Sequence, residues 1–140
     1  MRRTVSDFNQ QIIDEFRANE GRVGGPFAGA PMILIHHIGA KSGTERVTPL
    51  VQFPEGDGRT IIVGSAAGAP THPAWFHNLK ANPKILVEVG TEKYQVVAEE
   101  VTGAERDALW ERVVSEAPGF RDYEEKTDRT IPLLRLTRAA

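Results

Sequence analysis

The chain has 140 residues, the size of one ordinary domain, and its 17 Lys and Arg against 19 Asp and Glu give a formal net charge of -2, so no global positive field is available for nucleic acid or an anionic membrane. It contains no Cys, which excludes disulfides, thiolate metal sites, iron–sulfur clusters and thiol catalysis together. The basic start Met1-Arg2-Arg3-Thr4 leads into a mixed polar stretch and no apolar run has membrane-spanning length, so a cytoplasmic protein is expected.

In chain order, Thr4 and Asp7 have capping-box spacing, and Val5, Phe8, Ile12 and Phe16 recur at helical intervals. They predict an N-terminal helix within residues 1–20, running to about Ala18. Its polar face mixes Asp14, Glu15 and Arg17, which favours packing across a core; weak membrane association through this helix is the alternative. Residues 21–31 form a Gly/Pro-rich connector. Met32 to Ile38 reads as a buried strand, followed by the turn Gly39-Ala40-Lys41-Ser42-Gly43-Thr44-Glu45-Arg46. Residues 47–53 read as the return strand, Pro54-Glu55-Gly56-Asp57-Gly58 as a turn and residues 60–63 as a third strand, together an antiparallel meander. Gly64-Ser65-Ala66-Ala67-Gly68-Ala69 is almost wholly small residues, where a flat ligand can approach backbone amides.

Thr71 is placed to cap a short helix containing Trp75, Phe76, Asn78 and Leu79, which stops before Asn82-Pro83. Ile85, Val87 and Val89, then Tyr94, Val96 and Ala98, alternate around Gly90-Thr91 as a β-hairpin. Thr102 and Glu105 form a second capping-box pair ahead of a core-packing helix that carries Leu109, Trp110, Val113, Val114 and Ala117 and ends at Pro118-Gly119. Residues 119–130 are polar, with Phe120 and Tyr123 three apart, and residues 131–136 return as a last strand.

The familiar reaction centres are missing. His72 and His77 are five apart without a carboxylate at ligand spacing, so no metal site is indicated. In Gly64-Ser65-Ala66-Ala67-Gly68 the second glycine comes one residue too late for a nucleophile elbow, and Lys41-Ser42 lacks the glycine that must precede the lysine of a phosphate-binding Walker loop. What remains is a basic Gly/Ser turn, read either as an anion seat or as a solvated hairpin loop, with a small-residue platform and a Trp/Phe helix. Such a set suits chemistry carried by an organic cofactor.

Three segments carry a family resemblance: Gly39-Ala40-Lys41-Ser42-Gly43 with Arg46-Val47-Thr48-Pro49-Leu50, then Pro73-Ala74-Trp75-Phe76-His77-Asn78-Leu79-Lys80-Ala81-Asn82-Pro83, then Thr127-Asp128-Arg129-Thr130-Ile131-Pro132. In this order, from Phe16 to about Leu136, the chain resembles the deazaflavin (F420)-dependent nitroreductase family. The resemblance implies a single α+β domain, a split β-barrel related to the FMN-binding barrels, with flanking helices over residues 1–140. It implies that Lys41, Ser42, Gly43 and Arg46 hold the phosphate and acidic tail of the 8-hydroxy-5-deazaflavin coenzyme F420, and that Pro49 and Leu50 border its ring. Val63, Gly64, Ser65 and Ala66 would lie along the ring, and Trp75 and Asn78 would complete the far side, Asn78 by bonding the cofactor or by fixing the loop.

The activity implied is hydride transfer to a quinone, nitroaromatic or activated alkene, with Tyr123 as catalytic hydrogen-bond or proton donor and Val51, Ala117, Phe120 and Tyr123 on the substrate side. The nitroimidazole-activating members have tyrosines at the positions of Val51, Ala117 and Phe120 and a tryptophan at that of Lys126. Their loss speaks against that bulky drug class. An FMN-dependent reductase and a non-catalytic deazaflavin carrier are the alternatives, and the oligomeric state, a homodimer included, is left open.

Overall fold

The computed structural model describes residues 5–25, 28–65 and 68–139. Four helices and seven strands alternate along it: α1 (Val5–Ala18), β1 (Met32–Ile38), β2 (Glu45–Val51), β3 (Phe53–Gly56), β4 (Arg59–Val63), α2 (Ala74–Ala81), β5 (Lys84–Val89), β6 (Glu92–Val101), α3 (Gly103–Glu116), α4 (Gly119–Glu125) and β7 (Leu133–Arg138). All seven strands join one antiparallel sheet in the order β2-β1-β5-β6-β7-β4-β3. It is a curled half-barrel of the split-barrel type.

The curl is pinned by the covalent chain. β2 and β3 are the two edges of the sheet, yet only Gln52 separates them in sequence. Neighbouring Cα atoms are about 3.8 Å apart, so the edges must nearly meet there. Gln52 is buried; its backbone N–H donates to the Pro31 carbonyl at 2.9 Å and its side-chain amide to the Met32 carbonyl at 3.0 Å. The predicted meander is therefore corrected: residues 47–53 are not one strand, and the chain passes from one sheet edge to the other at Gln52. Residues 54–56, expected in a turn, belong to β3, and the tight turn shrinks to Asp57-Gly58, both with positive φ.

Burial follows the alternation of β1. Ile33 and Ile35 point into the barrel with Ile62, Trp75, Phe76, Leu79, Val87, Leu134 and Leu136, while Leu34 and Met32 meet Ile12, Ile13 and Phe16 of α1 on the other face. The amphipathic side of α1 thus serves the core, and among the described residues no helix is long and apolar enough to cross a membrane. A third cluster joins α3 to β4 and β7 through Trp110, Val113, Val114, Ile61, Val63 and Leu133.

The predicted caps differ from those formed. Pro73 and Thr102 are the N-caps of α2 and α3, and neither makes a side-chain cap bond. Glu105 instead accepts from Arg135 at 3.3 Å, whose guanidinium also grips Glu55 at 2.7 and 3.0 Å. Thr4 and the Asp7 side chain, the first predicted capping pair, lie outside the described residues, as does Pro26 of the connector. The polar segment after Gly119 contains α4, a short helix without a buried residue.

An ionic cluster ties α1 to the sheet. Arg17 donates two bonds to Glu88, at 3.1 and 2.7 Å; Glu88 meets His36 Nε2 at 2.6 Å, and His36 Nδ1 faces Glu45 at 3.1 Å. Arg17, and after it His36, outweigh burial and hold the Glu88 carboxyl at about 2 instead of 4.5. A carboxyl depressed in the folded state contributes stability above its unfolded value and loses it as pH falls through the folded one. Denaturant titrations from pH 4.5 to 2 should show a loss of up to about 3 kcal/mol, at about 1.4 kcal/mol per unit, that is missing in Glu88→Gln; equal slopes in both proteins would overturn the assignment.

Candidate active site

The basic turn is shaped by two glycines. Gly43 adopts φ +69, and a side chain at Gly39 would collide with the Ser42 hydroxyl. Inside the turn Gly39 N–H donates to the Thr44 carbonyl at 2.9 Å, Gly43 N–H to the Gly39 carbonyl at 2.9 Å, and Thr44 N–H to Ser42 Oγ at 3.2 Å. The side chains of Lys41, Ser42 and Arg46 remain exposed, and neither cation has a carboxylate partner among the described residues.

A buried polar relay holds this turn in place. The Ala40 N–H donates to Asn78 Oδ1 at 2.9 Å, so the Asn78 amide nitrogen must be the donor to His37 Nδ1, also at 2.9 Å. Neutral His37 then carries its proton on Nε2 and donates to Thr48 Oγ1 at 2.8 Å. Burial first, then Arg46 directly across the strand pair and His36 beside it, push His37 down to about 4, in keeping with a neutral ring. Asn78 therefore fixes the loop, the second of the two roles expected of it.

Where the sheet edges meet, Leu50 packs with Ile62 and Trp75 in the barrel core, and Val51 packs against the Val63 cluster. Pro49 lies half-buried beside them. Trp75 is 7% exposed, a core residue whose free edge lines a groove of about 520 Å³ between α1, β2 and the start of α2. The loop after β4 is packed closely. Gly64 touches Pro132, whose Cγ would be 2.7 Å from an added Cβ, and Gly68 (φ +82) meets the Tyr123 carbonyl and Lys126 so closely that a side chain would sit 3.1 and 3.0 Å from them. The small residues thus let α4 dock on the loop. Ser65 is buried, and Ala66 lies outside the described residues.

Arg129 arranges this loop. Its guanidinium donates to the carbonyls of Gly64 (3.1 Å), Ser65 (2.7 Å) and Ala69 (3.0 Å) and to His72 Nδ1 (2.9 Å). Three carbonyls are thereby gathered on one cation. Val51, Ala117, Phe120 and Tyr123 all pack against the α3 cluster, with Phe120 edge-on to Phe53 at 6.0 Å and to Tyr123 at 5.7 Å. The Tyr123 phenol has no hydrogen-bond partner among the described residues.

The structure therefore brings the expected residues into two groups: the turn with Asn78 and Trp75, to which it adds Thr48, and the seam of Leu50, Val51 and Val63, with Tyr123 on the same cluster as Val51 and Val63. Sequence reasoning did not single out His37, Thr48 or Arg129. A histidine at an inward position of an apolar strand was the available signal for the first, and a cation inside the Thr127–Pro132 signature for the last. Among the described residues no cluster of His, Asp and Glu forms a metal site.

Comparison with known proteins agrees with this arrangement. The model of the F420H(2)-dependent quinone reductase family matches residues 9–138. The chain belongs to that family. A curated F420H(2)-dependent quinone reductase of Mycobacterium tuberculosis is 39% identical over 128 residues, covering 88% of this chain and 85% of its own. A solved F420-H2 dependent reductase, FDR-A, is 38% identical with a TM-score of 0.68, covering 76% of this chain and 93% of that one. A structure described as a domain-swapped dimer is 33% identical with a TM-score of 0.70, covering 95% and 99%. As a member of the F420H(2)-dependent quinone reductases the chain is a reductase whose cofactor is F420; the FMN and non-catalytic carrier alternatives gain no support.

The donor set suits such a cofactor. Two unpaired cations and a hydroxyl at a glycine turn match a phosphate and carboxylates, and the seam beside it is apolar. If the relay seats the turn, Asn78→Ala strands His37 Nδ1 without a donor and should cost about 1–3 kcal/mol in urea denaturation, while weakening F420 binding. Unchanged stability and binding would remove the relay from the site.

Proposed function

We propose that the protein reduces quinones, with nitroaromatics and activated alkenes as further acceptors, using reduced F420. The observation that carries this reading is the exposed, unpaired cation pair Lys41 and Arg46 in a family that depends on an anionic deazaflavin. When bound, the reduced deazaflavin supplies a hydride. The chain supplies position and a proton. Lys41, Arg46 and the Ser42 O–H hold the anionic tail, Pro49, Leu50 and Trp75 border the ring, and Val63, Gly64 and Ser65 lie along it on a segment whose Gly64 and Ser65 carbonyls are held by Arg129.

Two-electron reduction of an acceptor consumes one hydride and one proton; in this reading the Tyr123 phenol donates that proton to an acceptor oxygen as it gains charge and is then reprotonated from water. Val51, Ala117 and Phe120 shape an apolar acceptor side without the hydroxyls found in nitroimidazole-activating members, so small planar acceptors are favoured over that bulky class. A homodimer is the assembly proposed, on the likeness to a structure that forms a domain-swapped dimer; sedimentation checks it.

Purified protein mixed with reduced F420 and menadione should oxidise the cofactor faster than the protein-free mixture, and titration with F420 and FMN in parallel should show uptake of F420. FMN uptake without F420 uptake would overturn the proposal. Lys41→Ala and Arg46→Ala should each weaken F420 binding about ten- to hundredfold, the equivalent of about 1.5–3 kcal/mol. Tyr123→Phe should bind F420 as the parent does and turn over about 10²-fold more slowly; an unchanged rate would deny the phenol its role.

A further inference from the structure

The groove of about 520 Å³ has a wall that neither its family nor its motifs assign: the N-terminal helix, through Asn9 and Gln10. Asn9 stands one turn before Ile13 on the stripe that continues to Phe16, and those two are 4% and 1% exposed in the core. A helix that only packs places an apolar residue at such a position. Here the position carries a carboxamide, half-buried and without a hydrogen-bond partner among the described residues. Burying amide groups unbonded is unfavourable, so Asn9 is suited to a polar ligand group.

Across the groove stand Arg46 and Thr48 of β2. Thr48 Oγ1 already accepts from His37, which leaves the hydroxyl proton as a donor oriented by the relay. One guanidinium, carboxamides and a directed hydroxyl above the edge of Trp75 match a hydroxylated chain that ends in a phosphate.

We infer that α1 is part of the cofactor site, with Asn9, Gln10 and Thr48 binding the hydroxylated side chain between the deazaflavin ring and its phosphate. This rests on the F420 reading above. It adds three contacts to those on the basic turn and gives the Arg17–Glu88 ion pair a purpose beyond stability, since that pair anchors the helix wall.

The test uses the full chain and two probes, oxidised F420 and its phosphate-free riboside, followed by deazaflavin fluorescence. Asn9→Ala and Thr48→Val should each weaken both probes about three- to tenfold, whereas Arg46→Ala should weaken F420 far more than the riboside. Thr48→Ser keeps the hydroxyl and its relay bond and should bind like the parent, and Asn9→Ala, which touches no relay bond, separates a lost contact from a disturbed turn. Hydrogen exchange in α1 should slow when F420 binds. Parent-like affinity of Asn9→Ala and Thr48→Val for both probes, or α1 exchange unaffected by bound F420, overturns the inference and leaves the F420 reading standing. A parent protein that takes up neither probe overturns both.

Discussion

The structure depends on one constraint of chain geometry: the two edges of the sheet are joined through the single residue Gln52. An open seven-stranded sheet would leave β2 and β3 far apart, so the sheet has to curl until its edges approach, with its natural twist making the curl inexpensive. Closure is what places Leu50 against Ile62, and Val51 against the cluster of Val63 and Trp110. The basic turn, at the far end of the β1–β2 hairpin from Gln52, is carried by the same strand. The residues of the site therefore come from opposite ends of the strand order yet line one seam.

Holding that seam open to a ligand requires polar groups in a region that is otherwise dry. The chain meets the requirement by alternation. Two adjacent histidines on β1 face opposite ways: His36 enters the ion cluster of Arg17, Glu45 and Glu88, while His37 enters the neutral relay of Asn78 and Thr48. In the ionic cluster each carboxylate and guanidinium is matched, which offsets the cost of drawing charges out of water. In the relay the imidazole stays neutral, because burial and the facing Arg46 both oppose a second proton. One strand thus anchors α1 on one face and seats the basic turn on the other.

Helices α1, α2 and α3, the buried strand, the β5–β6 hairpin and the returning last strand were legible in the sequence because each rests on local periodicity or on a glycine at a turn, as at Gly90, which has φ +59; the short α4 was not. Nor was the passage at Gln52, since no glycine interrupts residues 47–53 and nothing local distinguishes a strand that changes sheet edge from one that continues. The Thr102–Glu105 capping box misled for a related reason. Glu105 is better satisfied by Arg135, a partner 30 residues away. In the candidate site, the exposed Lys41, Ser42 and Arg46 follow from glycine spacing, whereas Asn78, His37 and Arg129 act on atoms of other segments. Only the fold brings those atoms within bonding distance.

This division bears on how acceptor choice can change without loss of the cofactor site. The relay, the turn and the Arg129 cradle are made of hydrogen bonds among β1, β2, α2 and the 64–69 loop. Ala117, Phe120 and Tyr123 instead come from the end of α3 and from α4, a helix with no buried residue, which contacts the loop at Gly68 and rests on the α3 cluster. Substitutions on α4 disturb few buried contacts and none of the relay bonds. On the proposed assignment, with Val51 as the one substrate-side residue carried by the sheet, acceptor preference would rest largely on a segment whose side chains can vary at low cost to stability, while the hydrogen-bonded half of the candidate site keeps its geometry.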